Sequence, residues 1–200
     1  TAGGSWLGIN DHGILAAVLN REGSLGPEPG KRSRGELVLE ALDHAEAGEA
    51  AGALADLRPE AYRPFNLVVA DARNAYWLRH GGDGEIRVHP IAPGLHMLTA
   101  GEMDDTASPR IGAYLHRFRE ARIPDPGQNR WEEWQRLLTD RDYPAVAGPH
   151  ASMNLDLPNG FGTVSSSLIA LPAYPGFGTE PLWLHADGPP DRVPFLPVTR

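Results

Sequence analysis

No cysteine occurs among the 200 residues. That excludes disulfides, thiolate metal sites, iron–sulfur clusters and a cysteine nucleophile within them, and it leaves the redox compartment open. No apolar run reaches the roughly 18 residues that a bilayer span needs. Basic residues are outnumbered, 18 Lys+Arg against 26 Asp+Glu, for a net charge of −8. That balance argues against nucleic acid or an anionic membrane as the main partner and leaves a small molecule as the expected one. Methionine is scarce, at three, and the eight histidines show neither H-x-x-x-H nor H-E-x-x-H spacing. No metal site is expected. His96-Met97, and His150 with Met153, are the only pairs resembling axial haem ligands, and structural roles suit them better.

What the chain does have is 41% apolar residues, with 23 Gly and 19 Pro dividing it into short elements. Its length fits one domain, residues 1–200. Ser5–Asn10 and Ile14–Asn20 read as strands joined by a turn at Asp11-His12-Gly13. The second run does not alternate, so both of its faces are expected to be covered. Ser33-Arg34-Gly35-Glu36 fits a capping box opening a helix with Leu37, Val38, Ala41 and Leu42 at helical spacing. An Ala-rich helix follows over Glu49–Leu57. Phe65–Ala72 and Ala75–His80 make a second hairpin, and Ile86–Ile91 a further strand. Ser108-Pro109 starts a helix with the stripe Ile111, Tyr114, Leu115, Phe118. Gln128–Thr139 is another helix, and Thr163–Leu171 and Leu182–Ala186 are strands.

The order ββααβββααββ pairs strands antiparallel and groups the helices. That excludes a doubly wound parallel sheet and predicts an α+β fold of two stacked antiparallel sheets with helices outside. Trp6, Leu7, Ile14, Ala16, Val18, Leu67, Val69, Leu168 and Ile169 are the expected core. Seven prolines follow Leu171, so residues 172–200 are expected to wrap the core irregularly.

Four polar residues stand out as site candidates. Asn20 ends an apolar strand and enters a Gly-rich loop, where its amide can donate to a developing oxyanion or simply tolerate a turn. Lys31-Arg32-Ser33-Arg34 gathers cations ahead of a helix, an arrangement that holds an anion or lies in solvent. Arg34 and Glu36 open that helix, and Asn66 is a polar residue beginning an apolar strand. Asn20, Arg34, Glu36 and Asn66 are expected to face one cavity. Ser165-Ser166-Ser167 lies in no G-x-S-x-G elbow, which speaks against a serine triad.

Gly3-Gly4-Ser5-Trp6-Leu7-Gly8-Ile9-Asn10, Arg34-Gly35-Glu36-Leu37, Phe65-Asn66-Leu67, Pro93-Gly94-Leu95-His96 and Gly162-Thr163-Val164-Ser165-Ser166 together resemble the NRDE family, whose eukaryotic member is transport and Golgi organisation protein two. The details resemble bacterial members. The resemblance implies a cytoplasmic protein with the N-terminal-nucleophile (Ntn) hydrolase fold, an αββα sandwich. It further implies amide (C–N) hydrolysis by a cysteine that follows the initiator Met. That Met-Cys and the Asn-Arg-Asp-Glu signature are not in this sequence, so the chain is expected to lack the family's first strands and to be inactive alone. Ala17-Val18-Leu19-Asn20 is similar to the oxyanion-asparagine context of choloylglycine-type hydrolases. Ala100 and Val164 stand where the family usually carries an amide and an arginine. The alternative implied is a non-catalytic haem or acyl-lipid carrier; otherwise no cofactor is expected. Thr1 as a processed nucleophile is a third reading.

Overall fold

Short apolar runs broken by turns fold into hairpins whose alternate residues face one side. The computed structural model describes residues 3–174 and 179–199, so Thr1 lies outside the described residues. In chain order the elements are β1 (Leu7–Ile9), β2 (Leu15–Asn20), α1 (Gly35–Leu42), α2 (Ala47–Ala55), β3 (Phe65–Ala70), β4 (Ala75–His80) and β5 (Ile86–Pro90). Then come α3 (Pro109–Glu120), α4 (Glu132–Leu138), β6 (Ser166–Ala170), β7 (Leu182–Ala186) and β8 (Leu196–Pro197). Two compact units divide the chain: Thr1–Gly94 with Leu171–Glu180, and Leu95–Ala170 with Pro181–Arg200.

The first unit is a five-stranded sheet in the order β1-β2-β3-β4-β5, antiparallel throughout. The helices α1 and α2, inserted between β2 and β3, cover one face of it. Ala16, Val18, Leu67, Val69 and Leu78 from the sheet meet Leu37, Val38, Ala41, Ala50, Ala51 and Leu54 from the helices in one buried cluster. Strand β2 is therefore sealed on one face only, since Leu15, Ala17 and Leu19 on the other are half-buried. The expectation of two covered faces is corrected: a run of small and medium apolar residues satisfies a half-buried face as readily as a buried one.

Helix α1 begins with the capping box read from the sequence. Ser33 Oγ accepts from Gly35 N at 3.3 Å and Glu36 Oε1 accepts from Ser33 N at 3.3 Å. Arg34 already has helical angles, so Ser33 is the functional cap. Helix α2 is capped from outside: Asp71, in the β3–β4 turn, accepts from Ala47 N at 2.9 Å and from Arg73 N and Asn74 N at 2.8 Å.

The second unit carries a three-stranded antiparallel sheet, β6-β7-β8, and the helices α3 and α4. The predicted stripe Ile111, Tyr114, Leu115 and Phe118 is buried, and Phe118 meets Trp134 edge-on at 5.3 Å. Helix α4 is shorter than the sequence suggested, because Asn129 in a left-handed conformation (φ 53°) interrupts the run before it.

The chain is thus α+β with two antiparallel sheets. Ile14, Ala16, Val18, Leu67, Val69 and Leu168 are buried as expected, while Leu7 and Ile169 are half-buried. Trp6 is the correction, at 58% exposed. It precedes β1 rather than sitting in it, and only its backbone joins the sheet, through Val18 N donating to Trp6 O at 2.9 Å. Residues 172–200 are not wholly irregular, since β7 and β8 fall within them. Among the described residues no helix is long and apolar enough to cross a membrane.

Candidate functional site

Where β2 ends and α1 begins, the first unit forms a half-open cavity of about 550 Å³. Its lining includes Trp6, Asn20, Leu25, Lys31, Arg34 and Arg63. The loop after Asn20 forms one wall. Gly23 and Gly26 take φ of 73° and 85°, a region L side chains rarely adopt, and the carbonyls of this loop serve as hydrogen-bond acceptors. Two arginines from other segments grip those carbonyls. Arg34 Nη1 donates to Ser24 O at 2.7 Å, Ser24 Oγ at 2.9 Å and Pro64 O at 3.0 Å. Arg63 donates to Gly23 O at 3.0 Å, Leu25 O at 2.9 Å and Gly26 O at 3.1 Å. Ser24, 2% exposed, is the node of this set, its one hydroxyl proton within reach of the Arg21 carbonyl at 2.7 Å and the Pro64 carbonyl at 2.9 Å.

Arg34 is 7% exposed, and among the described residues no carboxylate lies within ion-pair distance of it. Its guanidinium pKa is pushed down, by burial first and by the like charge of Arg63 second. Carbonyl and hydroxyl dipoles satisfy Nη1 without neutralising the guanidinium. Lys31 is similar in this respect: Nζ donates to Glu60 O at 2.7 Å. The other two cations of the lining are paired, Arg32 with Glu36 at 2.8 Å and Arg63 with Glu28 at 3.3 Å.

Asn20 differs from every other polar group here. Its Oδ1 is buried with no hydrogen-bond partner, and its side chain bonds no described residue. An amide left unpaired in a protein interior costs about 1–3 kcal/mol. The fold carries that cost at the wall of a cavity.

The four candidates therefore separate. Asn20 and Arg34 line the same cavity. Glu36 does not: its carboxylate closes the capping box and holds Arg32 Nε at 2.8 Å. Asn66 does not either. Asn20 pairs with Phe65 across the ladder, so the next residue, Asn66, projects from the opposite face of the sheet. There it is fully buried, its Oδ1 accepting from Arg21 Nη1 at 2.8 Å and Trp77 Nε1 at 3.1 Å.

Trp6, Ser24 and Arg63 are site residues the sequence reading passed over. A tryptophan in an apolar run looks like core, and a serine in a Gly-Pro loop looks like solvent. The signal for Arg63 was its place just ahead of a buried strand, facing the loop across the β2–β3 pair.

The other flagged groups lie elsewhere. His96 Nδ1 is 2.6 Å from Asp104 Oδ2, and Asp104 Oδ1 accepts from Met97 N at 2.7 Å. Met97 and Met153 pack into the apolar cluster around Tyr114. Ser167 Oγ is 2.9 Å from His185 Nδ1 and accepts from Trp183 Nε1 at 3.1 Å, a cross-strand set on β6 and β7. Among the described residues no group of three His, Cys, Asp or Glu is placed to hold a metal.

A family model described as Transport and Golgi organisation 2 matches residues 1–173. No curated protein matches the chain.

Proposed function

The chain belongs to the Transport and Golgi organisation 2 family, and from that footing we propose that it forms the substrate-binding part of an amide (C–N) hydrolase with an Ntn-type architecture. The Asn20 side chain on the cavity wall carries the reading: its Nδ2 is the donor and is hydrogen-bonded to no described residue, while its Oδ1, an acceptor, is buried without a partner. When a nucleophile adds to an amide carbonyl, negative charge collects on the carbonyl oxygen. A donor fixed at a strand end and committed to no other acceptor stabilises that charge without reorganising. In this reading the nucleophile is the cysteine that the family resemblance implies, and it is not among these 200 residues. Its sulfur bonds the carbonyl carbon, the C–N bond breaks, and the amine leaves with a proton. Water then hydrolyses the thioester to acid and free thiol.

The test is hydrolysis of a panel of N-acyl amides by the longer protein that includes the preceding cysteine, with amine release as the readout. Turnover abolished by Cys→Ala supports the reading. No turnover on any amide contradicts it.

A second reading keeps the cavity and drops the chemistry. Trp6 and Leu25, 58% and 66% exposed, stand beside the cations as an amphipathic carboxylate requires. None of the lining residues is a His, Met, Cys or Tyr, the side chains that ligate haem iron. An acyl chain with a carboxylate head therefore fits better than haem. Titration with haemin and with a fatty acid, followed by absorbance and tryptophan fluorescence, separates the two.

A further inference from the structure

The molecule carries a charge of −8, yet four of the side chains lining the cavity, Lys31, Arg32, Arg34 and Arg63, are cations, and Glu28 is the acid among them. Arg32 and Arg63 have carboxylate partners. Lys31 and Arg34 have only carbonyl and hydroxyl oxygens. A buried guanidinium balanced by dipoles alone is costly unless an anion joins it. A concave, low-dielectric wall magnifies its field over the cavity.

The backbone of α1 does not supply the anion site. Gly35 N is held by Ser33 Oγ, and Glu36 N and Leu37 N donate to Ser33 O and Arg34 O. Any anion recognition here falls to side chains.

From this cavity we infer that the substrate is an amide that itself carries a carboxylate, its charge held by Arg34 and Lys31 and its scissile carbonyl by Asn20. The amide half of this statement rests on the hydrolase reading; the carboxylate half rests on the two cations alone. Arg34 Nη1 is taken up by Ser24 and Pro64 and Nη2 has only a long contact of 3.4 Å to Gly26 O, so the Nε–Nη2 edge is the one offered to a carboxylate, and the fixing of Nη1 means that little rotamer freedom is lost on binding. Trp6, at 58% exposed on the cavity lining, offers a flat surface to an aromatic or acyl portion.

The proposal is tested by calorimetric titration of the 200-residue chain with hippurate and with hippuramide, which differ in the carboxylate charge. Hippurate is expected to bind at least tenfold tighter at low salt, with the preference shrinking as salt rises. Lys31 is solvent-accessible, so Lys31→Gln is expected to fold and to reduce the preference at least threefold. Arg34→Lys, which keeps the charge but loses the fork, is expected to weaken hippurate binding and leave hippuramide unchanged. Equal binding of the two ligands, binding of neither, or a preference untouched by Lys31→Gln overturns the proposal. The titration reads binding and not turnover. Charge-selective binding without hydrolysis by the longer protein therefore overturns the hydrolase reading alone.

Discussion

Gly4 and Gly35 lie backbone against backbone. A Cβ on Gly4 would stand 2.6 Å from the carbonyl carbon of Gly35, and one on Gly35 would stand 3.0 Å from Ser5 N. Ser5 N donates to Gly35 O at 3.1 Å across the same contact. The Gly-Gly-Ser-Trp and Arg-Gly-Glu-Leu motifs, far apart in sequence, are thus two sides of one contact. It fixes the start of α1 against the segment leading into β1, and with it places Trp6, Arg34 and Gly35 around the cavity.

Gly4→Ala and Gly35→Ala are each expected to lower stability by about 1–3 kcal/mol, because backbone cannot swing away as a flexible side chain can. The double variant is expected to be worse than either single one. Urea denaturation checks this, and a loss below a few tenths of a kcal/mol for Gly4→Ala would show the contact to be loose.

Asn66 sits on the face of the sheet away from Asn20, tying Arg21 to Trp77. Asn66→Ala removes a buried acceptor and leaves the Trp77 N–H without it, at a cost of about 1–3 kcal/mol. Stability is expected to fall while ligand affinity of the folded protein changes less than twofold. A binding defect exceeding the stability defect would return Asn66 to the site.

Asp71 joins the β3–β4 turn to the N-terminus of α2. Burial works against its charged form, but the three backbone N–H groups of Ala47, Arg73 and Asn74 outweigh burial and hold its pKa below the ordinary carboxylate value. A depressed folded pKa contributes stability that is present above the unfolded pKa and lost as pH falls through the folded one. Asp71→Asn is expected to destabilise by about 1–2 kcal/mol at pH 7. The gap from wild type is expected to close as the pH drops below roughly 4. A pH-independent gap, read from denaturation midpoints across that range, would contradict it.

Much of the fold was legible because strands and helices announce themselves by period. The order of hairpins and helix pairs, the capping box at Ser33–Glu36 and the stripe Ile111–Phe118 all follow from local pattern. The site was half legible. Asn20 and Arg34 stand at element ends, where chemistry is local in sequence. Glu36 belongs to the cap that its own motif describes. Asn66 is excluded by a register fact, Asn20 opposite Phe65, that no one strand reveals. Trp6 was misread because composition cannot distinguish a residue in a strand from one a step before it. The grip of Arg34 and Arg63 on loop carbonyls is a long-range arrangement of main-chain oxygens, which leave no trace in side-chain identity.

Asn20→Ala is the substitution that bears most directly on the central claim. Removing a side-chain amide that is hydrogen-bonded to no described residue, its Oδ1 buried without a partner, is expected to leave stability within about 0.5 kcal/mol of wild type, where an amide with protein partners would cost about 1 kcal/mol or more. Under the proposed hydrolase reading, kinetics on an N-acyl amide, with a chain extended to carry the proposed cysteine, are expected to show kcat reduced about 10²–10³-fold with KM changed little, as for loss of one oxyanion donor. A kcat within threefold of wild type, or a loss of activity that merely tracks a loss of stability, would contradict the assignment of Asn20 as the oxyanion donor.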